Sequence, residues 1–218
     1  MIKIKTCNKD DKVYGNVCEL SKKVYKEKQG ADLENFPELF VFAKYEDKIL
    51  GCFGLRQANK DFKLLLETYL DFDVLEKISG KNSCKRNLLG EICCRTVYIK
   101  SISHTLPRSA SIFLISAALA AAVIIKAEQL GIEYLVFTAS WPTLKLTKML
   151  GIDLWKFGKP NLAEKSQEFK KNWSHYFEAN QECYGFKTSQ AIPGCVVEQK
   201  RLSETYGYQF SIDENIYQ

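Results

Sequence analysis

Three side chains of different chemistry alternate along one predicted strand, at Glu91, Cys93 and Arg95. Residues two apart in a strand share a face, and roughly 13 Å separates the backbone positions of Glu91 and Arg95. A charged group inside a central strand is costly unless it is paired or solvated, so this pattern predicts a polar cavity at that face of the sheet. An edge strand or a structural ion pair is the alternative interpretation.

A second carboxylate, Glu67, lies in a preceding segment, residues 62–70, whose apolar run predicts another strand. Three side chains then share one face of that strand: Glu67, Tyr69 and Asp71. If Glu67 lies close to Glu91, one carboxyl group can hold a raised pKa and act as a general base, while the other orients substrate through Arg95. Two solvated carboxylates at a sheet edge are the alternative.

A candidate anion site lies where the long helix predicted over residues 109–129 begins. The free backbone N–H groups of its first turn and the guanidinium of Arg108 could together hold a phosphate group. The candidate residues are Arg108, Ser109 and Ser111. Because residues 101–108 contain no glycine, a simple helix cap at Ser109 beside a surface arginine is the alternative.

Two hydroxyl groups, those of Thr138 and Ser140, close the strand predicted over residues 133–139. They stand directly before Trp141 and Pro142, where an α/β sheet tends to present its ligand-facing edge. Their hydroxyls are therefore candidates for substrate binding. Ordinary end-of-strand and capping roles are the alternative.

The eight cysteines include no CxxC pair and no histidine at zinc-finger spacing, so the sequence predicts no metal site. Cys93 and Cys94 are adjacent in a strand, where they should point to opposite faces and not bind one ion. Free buried thiols are typical of a reducing compartment, which predicts a cytoplasmic protein. Only His104 and His175 supply imidazoles, and no nucleophile elbow is present, which argues against hydrolysis by a catalytic triad.

Charge and hydropathy argue against three further classes of protein. The 31 Lys and Arg exceed the 26 Asp and Glu by only 5 and form no basic run interleaved with aromatics, so nucleic-acid binding is not predicted. The amino terminus lacks the apolar core of a secretory signal. The most apolar segment, residues 110–125, falls short of the ~20 residues that span a bilayer and predicts a buried core helix without membrane contact.

At about 150 residues per domain, 218 residues predict one domain with at most an appendage. Periodicity and turn residues predict strands over residues 2–5, 39–45, 49–55, 62–70, 87–100, 133–139 and 152–157, and helices over residues 13–29, 74–79, 109–129 and 142–150. The early hairpin implies antiparallel pairs, and the later crossover helices imply parallel ones. We therefore predict an α/β fold with a mixed, mostly antiparallel sheet flanked by helices over residues 1–160. The polar residues 161–218, with a helix over 162–173, form a helical and aromatic appendage.

The order of these elements resembles the GNAT acyltransferase superfamily. Four segments, residues 64–71, 86–92, 136–139 and 144–151, look more narrowly like the family called thermostable hemolysin, which is GNAT-like and also similar to acyl-homoserine-lactone synthases. The similarity covers roughly residues 25–186. It implies that Glu91 and Arg95 match an acidic residue and an arginine that shape the substrate site on the central strand of those synthases. It also implies that the backbone around Val97 and Ile99 pairs with the pantetheine arm of a donor.

The function implied by the resemblance is transfer of an acyl group from a thioester, either acyl-coenzyme A or an acyl carrier protein, to a small-molecule amine. Glu91 or Glu67 would deprotonate the amine, and Arg95 would position substrate or polarise the carbonyl, without a covalent intermediate or a metal. The glycine-free residues 101–108 depart from the glycine-rich pyrophosphate loop usual in GNAT enzymes. A membrane-active or protein-interaction module and a non-catalytic ligand-binding domain are the alternatives, and the oligomeric state is not indicated.

Overall fold

The computed structural model describes residues 1–59, 63–69, 73–79, 85–99, 108–161, 163, 165–178 and 181–212. Its strands are β1 (Ile2–Asn8), β2 (Leu39–Tyr45), β3 (Lys48–Gln57), β4 (Leu89–Val97), β5 (Tyr134–Ala139), β6 (Trp155–Gly158), β7 (Glu182–Lys187) and β8 (Gln209–Ser211). Its helices are α1 (Tyr14–Gln29), α2 (Leu65–Tyr69), α3 (Val74–Ser79), α4 (Arg108–Gln129), α5 (Trp141–Met149), α6 (Gln167–Glu178) and α7 (Thr188–Tyr206). A single 3-10 turn, Arg86–Leu88, precedes β4.

One sheet contains all eight described strands, in the order β6-β7-β5-β4-β3-β2-β1-β8. The pairs β4–β5 and β1–β8 are parallel, and the other five pairs are antiparallel. The predicted α/β class with a mixed, mostly antiparallel sheet flanked by helices is confirmed. Strands β4 and β5 lie in the middle of the sheet, so charged groups on β4 are surrounded by protein.

Helix α4 forms the core on one face of this sheet. Its alanine-rich surface packs against apolar side chains of β2, β3 and β5, and α7 lies against it. By length and composition α4 could cross a membrane, since its most apolar 18 residues have a mean hydropathy of 2.2. However, 72% of that stretch is buried inside the protein. The prediction of a core helix is confirmed.

Helix α1 covers the opposite face of the sheet, together with α6. Val17, Cys18 and Tyr25 of α1 pack against Phe40 and Phe42 of β2 in a second core. The helix ends at Gly30, whose φ of 65° lies in the left-handed region that glycine adopts without strain, as predicted. The two cores thus lie on opposite faces of the sheet.

Residues 65–69 form a helix, so the strand predicted there is wrong. Two carboxylates explain the difference, because the amide N–H of Leu64 donates to Glu67 and those of Leu65 and Leu66 donate to Glu91. Carboxylates that accept the free amides of a first helical turn stabilise the helix start. Glu67 and Tyr69 therefore do not share the face of a strand, and Asp71 lies outside the described residues.

Residues 161–218 contribute to the same sheet as residues 1–160. Strand β7, which the sequence did not predict, is inserted between β6 and β5, and β8 pairs with β1. Helix α6 begins at Gln167, five positions after the predicted start, and extends beyond the predicted end at 173. The sheet therefore continues across the predicted boundary at residue 160.

Candidate active site

A β-bulge interrupts β4 at Cys94. Along β3 the register moves two residues, from Gly54 to Cys52, while along β4 it moves three, from Cys93 to Thr96. The extra residue gives Cys94 a φ of 48°, in the left-handed region that side chains other than glycine rarely adopt. Such a bulge changes the direction of every side chain that follows it in the strand.

Side chains next to the bulge do not follow the alternation predicted for a regular strand. Cys93 and Cys94 both pack in the core on the α1 side, so the prediction that they point to opposite faces is wrong. The guanidinium of Arg95 lies 5.7 Å from the ring centre of Phe137, which belongs to the core on the α4 side. The bulge thus turns part of the Arg95 side chain toward the α4 side, but Arg95 and Glu91 still line one small pocket.

Strands β4 and β5 separate directly beyond Glu91. Their parallel pairing runs from Leu89 opposite Tyr134 to Glu91 opposite Val136, whereas β4 itself continues to Val97 and β5 to Ala139. Arg95 spans the resulting gap. Its Nη2 donates to the carbonyl oxygen of Thr138, and its Nη1 donates to Thr143 Oγ1 at 3.0 Å.

A cavity of about 430 Å³ occupies this gap between α1, α4 and α5. Four of the predicted site residues line it: Arg95, Val97, Ser109 and Ser140. Arg108 is exposed beside Ser109 at the start of α4, whereas Ile99 and Ser111 are buried and do not line it. Ser140 precedes α5 without capping it through its side chain, so its hydroxyl is not committed to the helix.

The edge of β4 that faces the cavity is open. The amide of Tyr98 donates to Leu50 O of β3 at 2.7 Å. Because successive peptide groups of a strand point to opposite sides, the N–H and C=O of Val97 point away from β3 and toward the cavity. Lys28 Nζ lies 3.4 Å from Val97 O, which agrees with this direction. Residues 101–107, which the sequence analysis compared with a pyrophosphate loop, lie outside the described residues.

A small aromatic pocket of about 20 Å³ adjoins the large cavity behind Arg95. Tyr25 of α1 stacks on Tyr176 of α6 with ring centres 6.0 Å apart, and Trp173 meets both rings edge-on. The hydroxyls of Tyr176 and Thr138 are 2.7 Å apart, so the predicted site residue Thr138 lies in this pocket. Tyr25, Arg95 and Tyr176 line both spaces and form the wall between them.

These aromatic residues were not among those predicted for a site. Phe169, Trp173 and Tyr176 recur at the i, i+4, i+7 spacing of one helical face, and the signal was therefore present. It was assigned instead to a surface appendage, because nothing local shows that α6 packs over α1.

Glu91 lies at the back of the aromatic pocket. It is 3% exposed, and its two oxygens accept the amides of Leu65 at 2.6 Å and Leu66 at 3.0 Å. Burial raises the pKa of Glu91 to about 7, although the charge of Arg56 and the two amide hydrogen bonds oppose the shift. A carboxyl group with this pKa exchanges a proton near neutral pH.

Glu67 lies on the other side of the same helical turn. Arg86 holds its carboxylate in a bidentate ion pair, with nitrogen to oxygen distances of 3.0 and 2.5 Å. Burial raises the pKa of Glu67, but the hydrogen bonds from Arg86 and from the Leu64 amide outweigh it, so the net pKa is lowered. The structure thus brings Glu67 near Glu91, as the sequence suggested, but its arginine is Arg86 and not Arg95.

The thiols contribute no comparable chemistry. The seven described cysteines are free and buried, and burial raises the pKa of Cys52 to about 12. Buried thiols with raised pKa values are poor nucleophiles. Across the described part of the chain, no three His, Cys, Asp or Glu side chains are grouped to hold a metal ion.

Solved structures share this fold. The acyl-homoserine lactone synthase LasI aligns with a TM-score of 0.56 at 16% identity, covering 89% of this chain and 94% of that chain. The CoA-dependent acyl-homoserine lactone synthase BjaI, solved with SAM and isopentyl-CoA, aligns at 0.60 and 14% identity over 97% and 94%. FeeM, an N-acyl amino acid synthase from uncultured soil microbes, aligns at 0.58 and 13% identity over 92% and 99%.

At these low identities the structural alignments show a shared fold and nothing further. Comparison with curated protein sequences gave no significant match. The family model described as thermostable hemolysin matches residues 7–192, which include the whole of the cavity wall described above. The predicted resemblance is therefore confirmed, and the chain belongs to the thermostable hemolysin family.

Proposed function

We propose that the protein is an acyltransferase that moves an acyl group from a thioester donor to the amine of a small molecule. The observation that carries this proposal is the separation of β4 and β5 beyond Glu91, which opens a cavity through the middle of the sheet. The cavity and the aromatic pocket meet at Arg95, so two reactants can approach one point from different sides. The structural relatives include enzymes named as CoA-dependent and as N-acyl amino acid synthases, which agrees with this chemistry.

The large cavity suits the arm of the thioester donor. The peptide edge of Val97 faces it and can pair with an extended chain that carries amide groups. Lys28 on α1 and Ser109 on α4 lie at the cavity wall, with Arg108 adjacent, where a phosphate group would find positive charge and free amides. Acyl-coenzyme A and an acyl carrier protein both present such an arm, and both remain candidate donors.

The aromatic pocket, with a volume of about 20 Å³, has room for the reacting ammonium group of the acceptor but not for the rest of that molecule. Glu91 would remove a proton from the ammonium group, and the free amine would then attack the thioester carbonyl beside Arg95. The C–N bond forms and the C–S bond breaks. The departing thiolate takes up the second proton, which the nitrogen loses as it becomes an amide, and Glu91 releases the first proton to solvent. Arg95 is fixed by Thr138 and Thr143, so its remaining N–H groups are oriented to stabilise charge on the carbonyl oxygen.

The test measures N-acyl product by mass spectrometry with octanoyl-coenzyme A and octanoyl acyl carrier protein as donors. The acceptor amines are S-adenosylmethionine and a set of amino acids. Loss of a general base removes a factor of about 10² to 10⁴, so we expect Glu91→Gln to reduce the rate by at least about a hundredfold. Glu198→Gln is the matched control, because Glu198 is also buried but pairs with Arg201 on α7, outside the cavity.

Each result has a definite meaning for the proposal. Full activity of Glu91→Gln would remove Glu91 from the reaction while leaving the acyltransferase intact. Absence of product from every donor and acceptor would favour the non-catalytic alternative. The membrane-active alternative has no supporting feature in α4, because that helix is mostly buried, and release of dye from liposomes by the pure protein would restore it.

A further inference from the structure

The side chains that line the aromatic pocket suit an ammonium group. Its rings are those of Tyr25, Trp173 and Tyr176, and the carboxyl group of Glu91 lies at its back. Aromatic rings and a carboxylate are the usual surroundings of a bound ammonium ion. These residues therefore account for the nitrogen end of the acceptor.

The same pocket is poorly suited to a carboxylate. Among the described residues that line it, Arg95 is the one with a positive charge. Both of its terminal nitrogens already donate, to Thr143 Oγ1 and to the carbonyl oxygen of Thr138, and its guanidinium lies over the ring of Phe137. A carboxylate in the pocket would meet the like charge of Glu91, while the guanidinium at the wall is committed to other partners. Burying a carboxylate in such surroundings is costly.

The size of the pocket gives the same restriction independently. Its volume is about 20 Å³, and roughly 10 to 15 Å³ of such space holds one water molecule, so it takes one small polar group. An α-amino acid carries its carboxylate on the carbon that bears the nitrogen, so both charged groups would have to enter together. A primary amine on an unbranched CH2 group brings only the nitrogen.

The rest of the acceptor has to leave the pocket along apolar side chains. Leu65 of α2 and Trp173 of α6 line the pocket and are only partly buried, so they mark where it reaches the surface. Leu33 lines it as well. Leucine has no hydrogen-bonding side chain and the indole N–H only donates, so none of the three accepts a hydrogen bond from a second ammonium group. An alkyl or aryl group is buried favourably against them.

We propose that the acceptor is an apolar primary amine without a carboxylate, an alkylamine or arylalkylamine whose unbranched CH2 group bears the reacting nitrogen. This inference rests on the proposed acyl transfer and adds the class of acceptor. It excludes α-amino acids, and it excludes S-adenosylmethionine, whose amine shares its carbon with a carboxylate. In this respect the chain differs from FeeM, which is named as an N-acyl amino acid synthase.

The experiment compares amines with the amino acids that differ from them only by the carboxylate. The pairs are phenethylamine with phenylalanine and pentylamine with norleucine. Putrescine replaces the terminal CH3 of pentylamine with a second ammonium group. We measure N-octanoyl product from octanoyl-coenzyme A and from octanoyl acyl carrier protein. We expect kcat/KM to be about a hundredfold higher for each amine than for its amino acid, and about tenfold higher for pentylamine than for putrescine.

Binding of the same compounds is measured by isothermal titration calorimetry, which does not depend on turnover. Trp173→Leu should weaken the binding of phenethylamine about fivefold to tenfold, because one aromatic wall is lost. Trp141→Leu is the matched control and should bind as the wild-type protein does, because Trp141 is 66% exposed on α5 and lines neither space. Glu91→Gln should narrow the difference in affinity between phenethylamine and phenylalanine, since the charge that repels the carboxylate is removed.

The outcomes separate this inference from the proposed function. If phenylalanine or norleucine is acylated as efficiently as the matching amine, the inference is overturned and the acyltransferase stands. If phenethylamine binds selectively, Trp173→Leu weakens it and neither donor gives product, the acceptor class stands and the proposed catalysis fails. An equal loss of binding in Trp141→Leu, or equal use of putrescine and pentylamine, would overturn the inference. Absence of both binding and product for every amine and amino acid would overturn the two proposals together.

Discussion

Two buried carboxylates lie on either side of the first turn of α2, and they differ in their partners. Glu67 is held by the guanidinium of Arg86, and its pKa is lowered. Glu91 accepts backbone amides, with Arg56 as a nearby charge, and its pKa is raised to about 7. Glu67 is 7% exposed and Glu91 is 3% exposed, and burial acts to raise the pKa of each.

The comparison teaches that the bound partner, together with burial, decides what a buried carboxylate can do. Glu67 joins α2, α3 and the turn before β4, because its carboxylate accepts the amide of Val74 as well as the guanidinium N–H groups of Arg86. Glu91 borders the aromatic pocket and can change its protonation near neutral pH. Glu67 therefore stabilises the elements around the site, whereas Glu91 is available for proton transfer.

The largest expected effect comes from breaking the ion pair of Glu67. Arg86→Met leaves a buried carboxylate without its partner, which should lower the free energy of unfolding by about 3 to 5 kcal/mol. Urea denaturation followed by circular dichroism measures the change. Arg201→Met is the control, because Arg201 is 40% exposed in its pair with Glu198 and should cost less. Equal losses of unfolding free energy in the two variants would show that the Glu67 ion pair contributes no more than the partly exposed pair of Glu198.

The pH dependence of stability should distinguish the two carboxylates by sign. The folded state keeps a proton on Glu91 between pH 4.5 and about 7 while the unfolded chain loses it, so stability falls as pH rises through this window. The shift corresponds to about 3 kcal/mol between the two ends. Glu67 acts oppositely, because its stabilisation is present above its ordinary pKa and is lost as the pH falls below it.

Urea unfolding at pH 5, 6, 7 and 8 measures this dependence. Glu91→Gln should flatten the decline, since the glutamine side chain does not titrate. An unchanged slope in that variant would mean that another group causes the decline.

A smaller effect is expected for the side chain that spans the gap. Arg95→Lys keeps the charge but loses the planar arrangement that reaches both Thr138 and Thr143, so we expect kcat to fall about tenfold. The free energy of unfolding should change by less than about 1 kcal/mol. Steady-state kinetics with octanoyl donors provide the measurement, and Arg201→Lys should leave kcat unchanged. An unaltered kcat in Arg95→Lys would show that Arg95 only supports the cavity.

The smallest expected effect concerns the hydroxyl pair in the aromatic pocket. Tyr176→Phe removes the hydrogen bond to Thr138, worth about 1 kcal/mol, and should lower kcat/KM for the acceptor by about threefold to tenfold. Tyr184→Phe is the control, because its hydroxyl bonds to Glu182 outside both spaces. If both variants behave alike, the aromatic pocket does not take part in acceptor binding.

Several elements followed from local sequence alone. The apolar pattern and the left-handed Gly30 define α1, and two apolar runs around a polar turn define the hairpin of β2 and β3. Helix α3 begins as predicted, because Asp73 accepts the amide of Leu75 at 2.7 Å. In each case the residues that specify the element lie within a few positions of it.

The candidate site was predicted in part. The two spaces are lined by Glu91, Arg95, Ser109, Thr138 and Ser140, as their residue types suggested, and by Val97, as the resemblance implied. The sequence did not show which arginine binds Glu67. The ion pair with Arg86 forms only because residues 64–69 fold as they do. Trp173 and Tyr176 were missed because their place in the site arises from packing between distant parts of the chain.

The sequence by itself therefore determined the class of fold, the main helices and strands and the family, because these depend on periodicity, caps and motif order within short stretches. Only the tertiary structure decided the bulge at Cys94, the insertion of β7 beside β5 and the helical state of residues 65–69. Each of these depends on a partner far away in the chain: the register of β3, the edge of β5 and the carboxylate of Glu91. A local pattern does not encode such a partner, since its energy exists only when the two segments meet.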